Sequence, residues 1–330
     1  DHVLVTNAGG LASVGGASDR FNAIEIHQAD VRIANSTINF NAAGQSSTTR
    51  EGIGRNVAST IFVRGAQPII VNNRIHDNVA DAISINANAM QSEVMPDRGR
   101  TTGPLNAFTQ FGANRGPLVR LNRLQDNGTN GMQIRAAVLT TETIWDDVDI
   151  AHVLRGEIKI FNHHTFSGLR LQSSATAGLV VKLDSGAGFT ADGVPLDIDD
   201  RIGGTLQVVG VPGRPVVFTS IKDDSVPAGL DLQGSPQGDT NGDGPSQGSP
   251  GDWRSIRLGK YANSRNVAVI NEVERAYTAG NDTNSYPGKA QFLGVLAPDP
   301  VRPGETVDDE KGGDDERRLG FEVHGFISLD

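Results

Sequence analysis

The sequence contains no cysteine, which excludes disulfide staples, thiolate metal sites and a cysteine nucleophile. That absence suits an exported bacterial protein or a cytosolic one equally and leaves the redox compartment open. No apolar run approaches the roughly 18 residues that a membrane-crossing helix needs. Positive charge is in short supply: 29 Lys and Arg face 39 Asp and Glu, for a net charge of −10. Such a balance argues against a protein that grips a phosphate backbone. His-Glu-x-x-His, Gly-x-x-x-x-Gly-Lys and a glycine fingerprint opening a helix are all missing, which removes the marks of a zinc protease, a phosphate loop and a dinucleotide site. Helical periodicity is nearly absent.

What the chain has instead is glycine, 40 residues in 330, and enough hydrophobic residues, 37%, for a real core. Its order lies in short β-type runs broken by Asn, Asp and Gly, such as Ala23 to Ile26, Val31 to Ile33, Thr60 to Val63, Ile83 to Ile85, Leu169 to Leu171, Leu206 to Val209 and Val267 to Ile270. Many alternate apolar with polar, which buries one face of a pleated strand and wets the other. Two blocks superimpose without gaps: Pro68 to Asn78 lies over Pro117 to Asn127 at an offset of 49 residues, and Ile83 to Ile85 then falls on Met132 to Ile134. A weaker copy, Ala34 to Asn41, precedes Val71 to Asn78 by 37.

Strands of three residues are marginal as hairpins in water. Stacking each on its equivalent one coil earlier pairs the backbone and buries a continuous apolar column. The expected fold is therefore all-β, a right-handed parallel β-helix (solenoid) with long loop insertions and a short C-terminal extension. Asn at the corners fits, because it tolerates the left-handed conformation. An antiparallel sandwich is the alternative; the gapless repeat, the short strands and the scarcity of two-residue hairpin turns count against it. Residues 1–280 are assigned to the β-helix, 281–318 to an irregular acidic linker and 319–330 to the opening strand of a following module. Long loops are expected over 88–115 and 234–252, while 143–153 reads as a short helix or a strand pair. Roughly nine to twelve coils spaced at about 4.8 Å predict a rod on the order of 50 Å. The start at Asp1 and the stop at Asp330 suggest a piece of a longer polypeptide whose leader has been removed.

Several stretches resemble one family. Ile61 to Pro68, Trp145 to Ile150, His152 to Gly156, Leu196 to Gly204, Pro215 to Ser220, and Asp239 to Gly244 followed by Gly251 to Ile256 are similar to right-handed parallel β-helix regions of very large secreted bacterial surface and matrix proteins. The resemblance covers roughly residues 20 to 275. It implies an extracellular or cell-surface scaffold that self-associates or supports neighbouring modules of the same polypeptide, with no catalytic residues to transfer. The alternatives are a calcium-dependent polysaccharide lyase and a glycan-binding adhesin.

Asp239-x-Asn241-x-Asp243-Gly244 opens like a calcium loop, because alternate oxygen-bearing side chains on a glycine-assisted turn converge on a hard cation. The position that should carry the bidentate carboxylate is Pro250, and Asp252, two residues later, is the candidate substitute. Asp239, Asn241, Asp243 and Asp252 are thus the expected ligands of a structural Ca2+, against the reading of a solvated acidic turn. Asp197 and Asp199 share one side of an extended strand and, with Asp200 and Arg201, make the lyase-like cluster, against the reading of a solvated strand face. His163 and His164 would point to opposite faces, which disfavours a shared metal. Gly244-Pro245-Ser246-Gln247-Gly248 spells the nucleophile-elbow pattern without the strand before it and the helix after it. Trp145 and Trp253 suit core packing better than sugar stacking.

Overall fold

A computed structural model describes residues 1–14, 16–45, 57–99, 107–161, 168–192, 204–259 and 262. The described residues form strands throughout, with two single-turn 3-10 helices, Ala87–Ala89 and Thr109–Phe111. Among the named strands, Gly10–Val14 and Ala17–Phe21 make the antiparallel pair; the remaining pairings are parallel. Among the described residues no helix is long and apolar enough to cross a membrane. The module boundary at 281, the linker, the final strand and the run Val267 to Ile270 lie outside the described residues.

The backbone of the architecture is a sheet of seven strands. In spatial order these are Ile24–His27, Ile61–Arg64, Asp81–Asn86, Thr129–Arg135, His152–Leu154, Leu179–Leu183 and Val216–Ser220. Between visits the chain passes through other sheets. In the first half these are Arg32–Ala34, Ile69–Val71 and Leu118–Arg120, then Leu4–Thr6, Thr37–Asn39, Arg74–His76 and Arg123–Gln125. In the second half Ala137–Leu139, Glu157–Ile160, Gly188–Ala191 and Ser255–Leu258 form one sheet, and Glu142–Trp145, Gly168–Gln172 and Thr205–Val209 another. Six steps of about 4.8 Å give roughly 29 Å along the seven-stranded sheet.

The register matches the internal repeat. Leu118 pairs with Ile69 and Arg123 with Arg74, while Thr37 pairs with Arg74, so the offsets of 49 and 37 residues separate register partners on adjacent parallel strands. Segment 143–153 contains two strands, Glu142–Trp145 and His152–Leu154, which belong to different sheets and are joined by an acidic link. Inward side chains stack in columns. Ile26, Val63, Ile85, Ile134, Leu154 and Leu183 form one, and Ile38, Ile75 and Leu124 another, each residue buried. Each contributes about 1.5–3 kcal/mol of transfer free energy.

Asparagines tie the corners. The side-chain Nδ2 of Asn41, Asn78 and Asn127 donates to the Oδ1 of the next amide in the series, Asn78, Asn127 and Asn130, at 2.9, 2.7 and 3.0 Å. A second ladder runs through Ser36, Asn73 and Asn122, where each Oδ1 accepts the backbone N–H of the preceding rung. These amides satisfy backbone groups that the turns leave unpaired.

The corner before the second ladder is left-handed, at φ 53° in Asn35, 55° in Asn72 and 57° in Leu121. Leu is the odd member, because its Cβ crowds the carbonyl there. Leu121→Asn should therefore raise stability by about 1 kcal/mol and extend the outer contact in which Asn72 Nδ2 donates to Asn35 Oδ1 at 2.7 Å. A shift of the urea midpoint to higher concentration checks this, and an unchanged midpoint contradicts it.

The insertion after Asp81–Asn86 descends to the first circuit. There Arg32 binds Asp97 through Nε and Nη2 at 2.8 and 3.0 Å.

Candidate metal centre

The connection between Val216–Ser220 and Ser255–Leu258 folds back over the outer face of the seven-stranded sheet. Ile221, Val226 and Ala228 cover Ala151, Val153, Val180 and Val217, so the loop is held by its own small apolar core. Beneath it Lys182 is fully buried, and its Nζ donates to the carbonyls of Asp223 and Gly238 at 2.9 and 3.0 Å. Burial pushes the Lys182 pKa down, while Asp224, Asp223, Asp239 and Asp243 work in the opposite direction. The loop then closes the asparagine ladder, because Asn130 donates its backbone N–H to Thr240 O and its Nδ2 to Asp239 O.

Asp224, Asp239 and Asp243 each offer one carboxylate oxygen, and these oxygens lie within 4.8 Å of one another. Asp239 is oriented by its own turn: its Oδ1 accepts Gly242 N–H at 2.7 Å and its Oδ2 accepts Gly244 N–H at 3.1 Å. Both glycines have positive φ, 73° and 79°, which a side chain would strain. Ser246 donates its backbone N–H to Asp224 Oδ2 and its hydroxyl to Asp243 Oδ1. Asp224 Oδ1 and Asn241 Oδ1 are buried without a hydrogen-bond partner. Hard oxygens gathered with spare lone pairs suit Ca2+ or Mg2+.

The turn thus brings Asp239 and Asp243 together, as its spacing suggests, and adds Asp224, which sequence reasoning missed because it enters from the start of the same loop. Asp252 is engaged elsewhere: its Oδ2 accepts Ser220 Oγ at 2.7 Å and Ser249 N–H at 2.9 Å, and Lys222 Nζ stands 3.7 Å from its Oδ1. These bonds hold its pKa below the usual carboxylate range, with the Ser249 N–H the largest influence. Ser246 lies in a turn between carboxylates. Asp197, Asp199, Asp200, Arg201, His163 and His164 lie outside the described residues. Trp253 is partly buried against the core.

A second polar cluster sits where the link Asp146 to Ile150 crosses Leu118–Arg120. Asp147 is fully buried, and its Oδ1 accepts Val119 N–H at 3.1 Å and lies 3.4 Å from Arg120 Nε. Asp149 Oδ2 accepts Leu121 N–H at 2.7 Å, and its Oδ1 is 3.8 Å from Arg120 Nη1. Arg120 also donates to the Asp146 carbonyl and to Asn114 Oδ1. Burial raises all three carboxyls against the pull of Arg120, Asp146 to about 6 and Asp147 well above its ordinary value. Close by, His152 is fully buried and stacks on Trp145 with ring centroids 5.5 Å apart. Burial, helped by the Arg120 charge, lowers its pKa to about 3.

A depressed histidine contributes stability that is complete above the unfolded value of 6.5 and is lost as the pH falls toward about 3. The slope is at most about 1.4 kcal/mol per pH unit. His152→Phe, which keeps a ring on Trp145, should flatten this acid-side loss. Melting temperatures between pH 6.5 and 4.5 check it, and parallel curves for variant and parent contradict it.

Set beside known proteins, the chain matches no family model, no curated protein and no solved structure.

Proposed function

We propose that the chain is a right-handed parallel β-helix whose product is shape: a scaffold segment of a large secreted bacterial surface or matrix protein that spaces or displays neighbouring modules and catalyses nothing. The observation that carries this reading is the use made of polar side chains. The interior asparagines are bonded into ladders along the stack, an arrangement that fixes register. The right hand follows from the crossover rule for parallel strands.

Self-association belongs to the same reading. The seven-stranded sheet and both first-half sheets end on one side of the stack, at Ile24–His27, Arg32–Ala34 and Leu4–Thr6, with the His2 N–H on the Ala34 carbonyl. A cavity of about 200 Å³ opens there, lined by Val3, Val5, Ile24, Val31 and Ile33. Strand edges beside exposed apolar surface accept another copy. Filaments or ordered oligomers in electron micrographs are the expected result; dispersed monomers at every protein and calcium concentration would contradict it. Absence of unsaturated product from uronic-acid polymers is expected, and its appearance would make the lyase the better reading.

We further propose that Asp224, Asp239, Asn241 and Asp243 hold a structural Ca2+ that fastens the loop to the sheet. A ligand bound only to the folded state adds about 2.7 kcal/mol at one hundred times its Kd. Saturating CaCl2 should therefore raise the melting temperature by several degrees over EDTA, and Asp239→Asn with Asp224→Asn should abolish the increment. Equal melting with and without calcium in the parent protein would sink the proposal.

A further inference from the structure

The outer face of the four-stranded sheet in the first half is an ordered surface, flanked at its Arg123–Gln125 edge by the loop at Leu230. Its inward column is Val5, Ile38, Ile75 and Leu124, so the neighbouring positions face out: Leu4, Thr37, Arg74 and Arg123 in one column, Thr6, Asn39, His76 and Gln125 in the other. Arg74 and Arg123 are direct register partners on adjacent parallel strands, about 4.8 Å apart along the stack. Like charges placed this way repel and destabilise a sheet unless something neutralises them.

Among the described residues none forms an ion pair with either arginine. Arg74 and Arg123 both turn toward one neutral acceptor, the Leu232 carbonyl, at 3.5 and 3.2 Å. The neighbouring carboxylates are turned to other partners. Asp231 Oδ1 accepts the N–H groups of Gln233 and Ser235 in its own turn. Asp77 Oδ2 lies 2.6 Å from His76 Nδ1, and Asp126 Oδ2 accepts Gln125 Nε2 at 3.0 Å. Each guanidinium carries five N–H donors and uses one on this carbonyl, so donors of both remain open to an anion in a protein of net charge −10. Beside them Phe40 is 58% exposed, in left-handed backbone at φ 52°, with its ring edge-on to His76 at 6.2 Å.

We infer that the stacked pair Arg74 and Arg123 is an oxyanion clamp for an acidic polysaccharide lying across this sheet, its carboxylate or sulfate group bridging the two guanidiniums. Paired guanidiniums match the two-oxygen edge of either group. A flat, solvent-facing surface suits an extended polymer better than a small molecule, which needs a concave site. The exposed Phe40 ring offers an apolar face to a sugar. The inference extends the scaffold reading to what the scaffold holds, and it needs neither the metal nor self-association.

The test is binding of the full chain, in low salt, to immobilised polygalacturonate, dextran sulfate and neutral dextran. Retention on at least one acidic polymer and none on dextran is expected. Dextran sulfate alone would identify a sulfate ester as the anion, polygalacturonate alone a carboxylate. Arg74→Gln with Arg123→Gln should weaken binding at least tenfold. Arg74→Lys with Arg123→Lys, which keeps charge and loop contacts, should lose less. Arg257→Gln, an exposed arginine that stands by Asp192 instead, should change nothing. Melting curves of each variant separate loss of the clamp from loss of the fold; where the Gln pair melts early, the Lys pair decides. Equal retention on neutral dextran, no retention on either acidic polymer, or undiminished binding by folded variants of both pairs would overturn the inference.

Discussion

Asn78→Ala is expected to lower the unfolding free energy by several kcal/mol, enough to leave much of the protein unfolded at 37 °C. The side chain is buried, with its Nδ2 donating to Ile38 O at 3.0 Å and to Asn127 Oδ1 at 2.7 Å, while its Oδ1 accepts Asn41 N–H at 3.1 Å and Asn41 Nδ2 at 2.9 Å. Truncation takes a partner from the Ile38 carbonyl, the Asn41 N–H and the Asn127 Oδ1, while Asn41 Nδ2 keeps only its bond to Val5 O at 3.3 Å, and each buried orphan costs about 1–3 kcal/mol. Whole domains have only about 5–15 kcal/mol in hand. Asn78→Asp should do no better, because a carboxylate would face Ile38 O and Asn127 Oδ1, both acceptors, with no cation supplied. Urea midpoints followed by circular dichroism measure the effect. A loss below about 1 kcal/mol, the scale of a single exposed hydrogen bond, would show that the ladder is ornamental to stability.

Arg120→Met carries the second large expectation, about 3–5 kcal/mol of destabilisation at pH 7, the range for removing one partner of a buried ion pair. Arg120 is the cation that faces Asp147 and Asp149 at 3.4 and 3.8 Å, and methionine of similar length leaves their charges uncompensated. The loss should shrink on acidification. These carboxyls are already raised by burial, Asp146 to about 6. A raised acid contributes stability that is present below its unfolded value of 3.8 and is lost as the pH climbs through the folded value. Without Arg120 the folded values rise further, so the variant should regain stability between pH 7 and 5 more steeply than the parent. Asp147→Asn added to Arg120→Met should restore part of the loss, a non-additivity expected of residues in one network. A pH-independent difference between variant and parent would contradict the charge argument.

The periodic part of the fold is legible in the sequence because rungs that stack directly share the same chemistry. Ile69 to Val71 over Leu118 to Arg120, and Arg74 over Arg123, are neighbours in the line of residues at a constant offset and neighbours in space. The asparagines are legible as corner residues, but the inward aim of Asn73, Asn78 and Asn122 is set by the turn before each, where Leu121 occupies a left-handed position that favours Asn or Gly. The strands Ala137–Leu139 and Gly188–Ala191 are too small and too glycine- and alanine-rich to stand out from loops. The centre at Asp239 and Asp243 is visible as a motif, since those ligands are local. Asp224 is hidden by the turn that separates it from them. Likewise nothing local sets Asp146, Asp147 and Asp149 apart in a segment that reads as a short helix or a strand pair, because the partner Arg120 comes from a different strand.

Because the protein lacks cysteine, paired thiols test the stacking without background. His76 and Gln125 are register partners on adjacent strands, whereas Asn39 is one strand further away. In His76→Cys with Gln125→Cys, the thiols should join rapidly through a cross-linker of about one rung in span, and in Asn39→Cys with Gln125→Cys they should not, since two rungs separate them by about 9.6 Å. Slow or equal joining in the two variants would mean that residues 49 apart do not lie side by side, and the stacked-circuit account would fall.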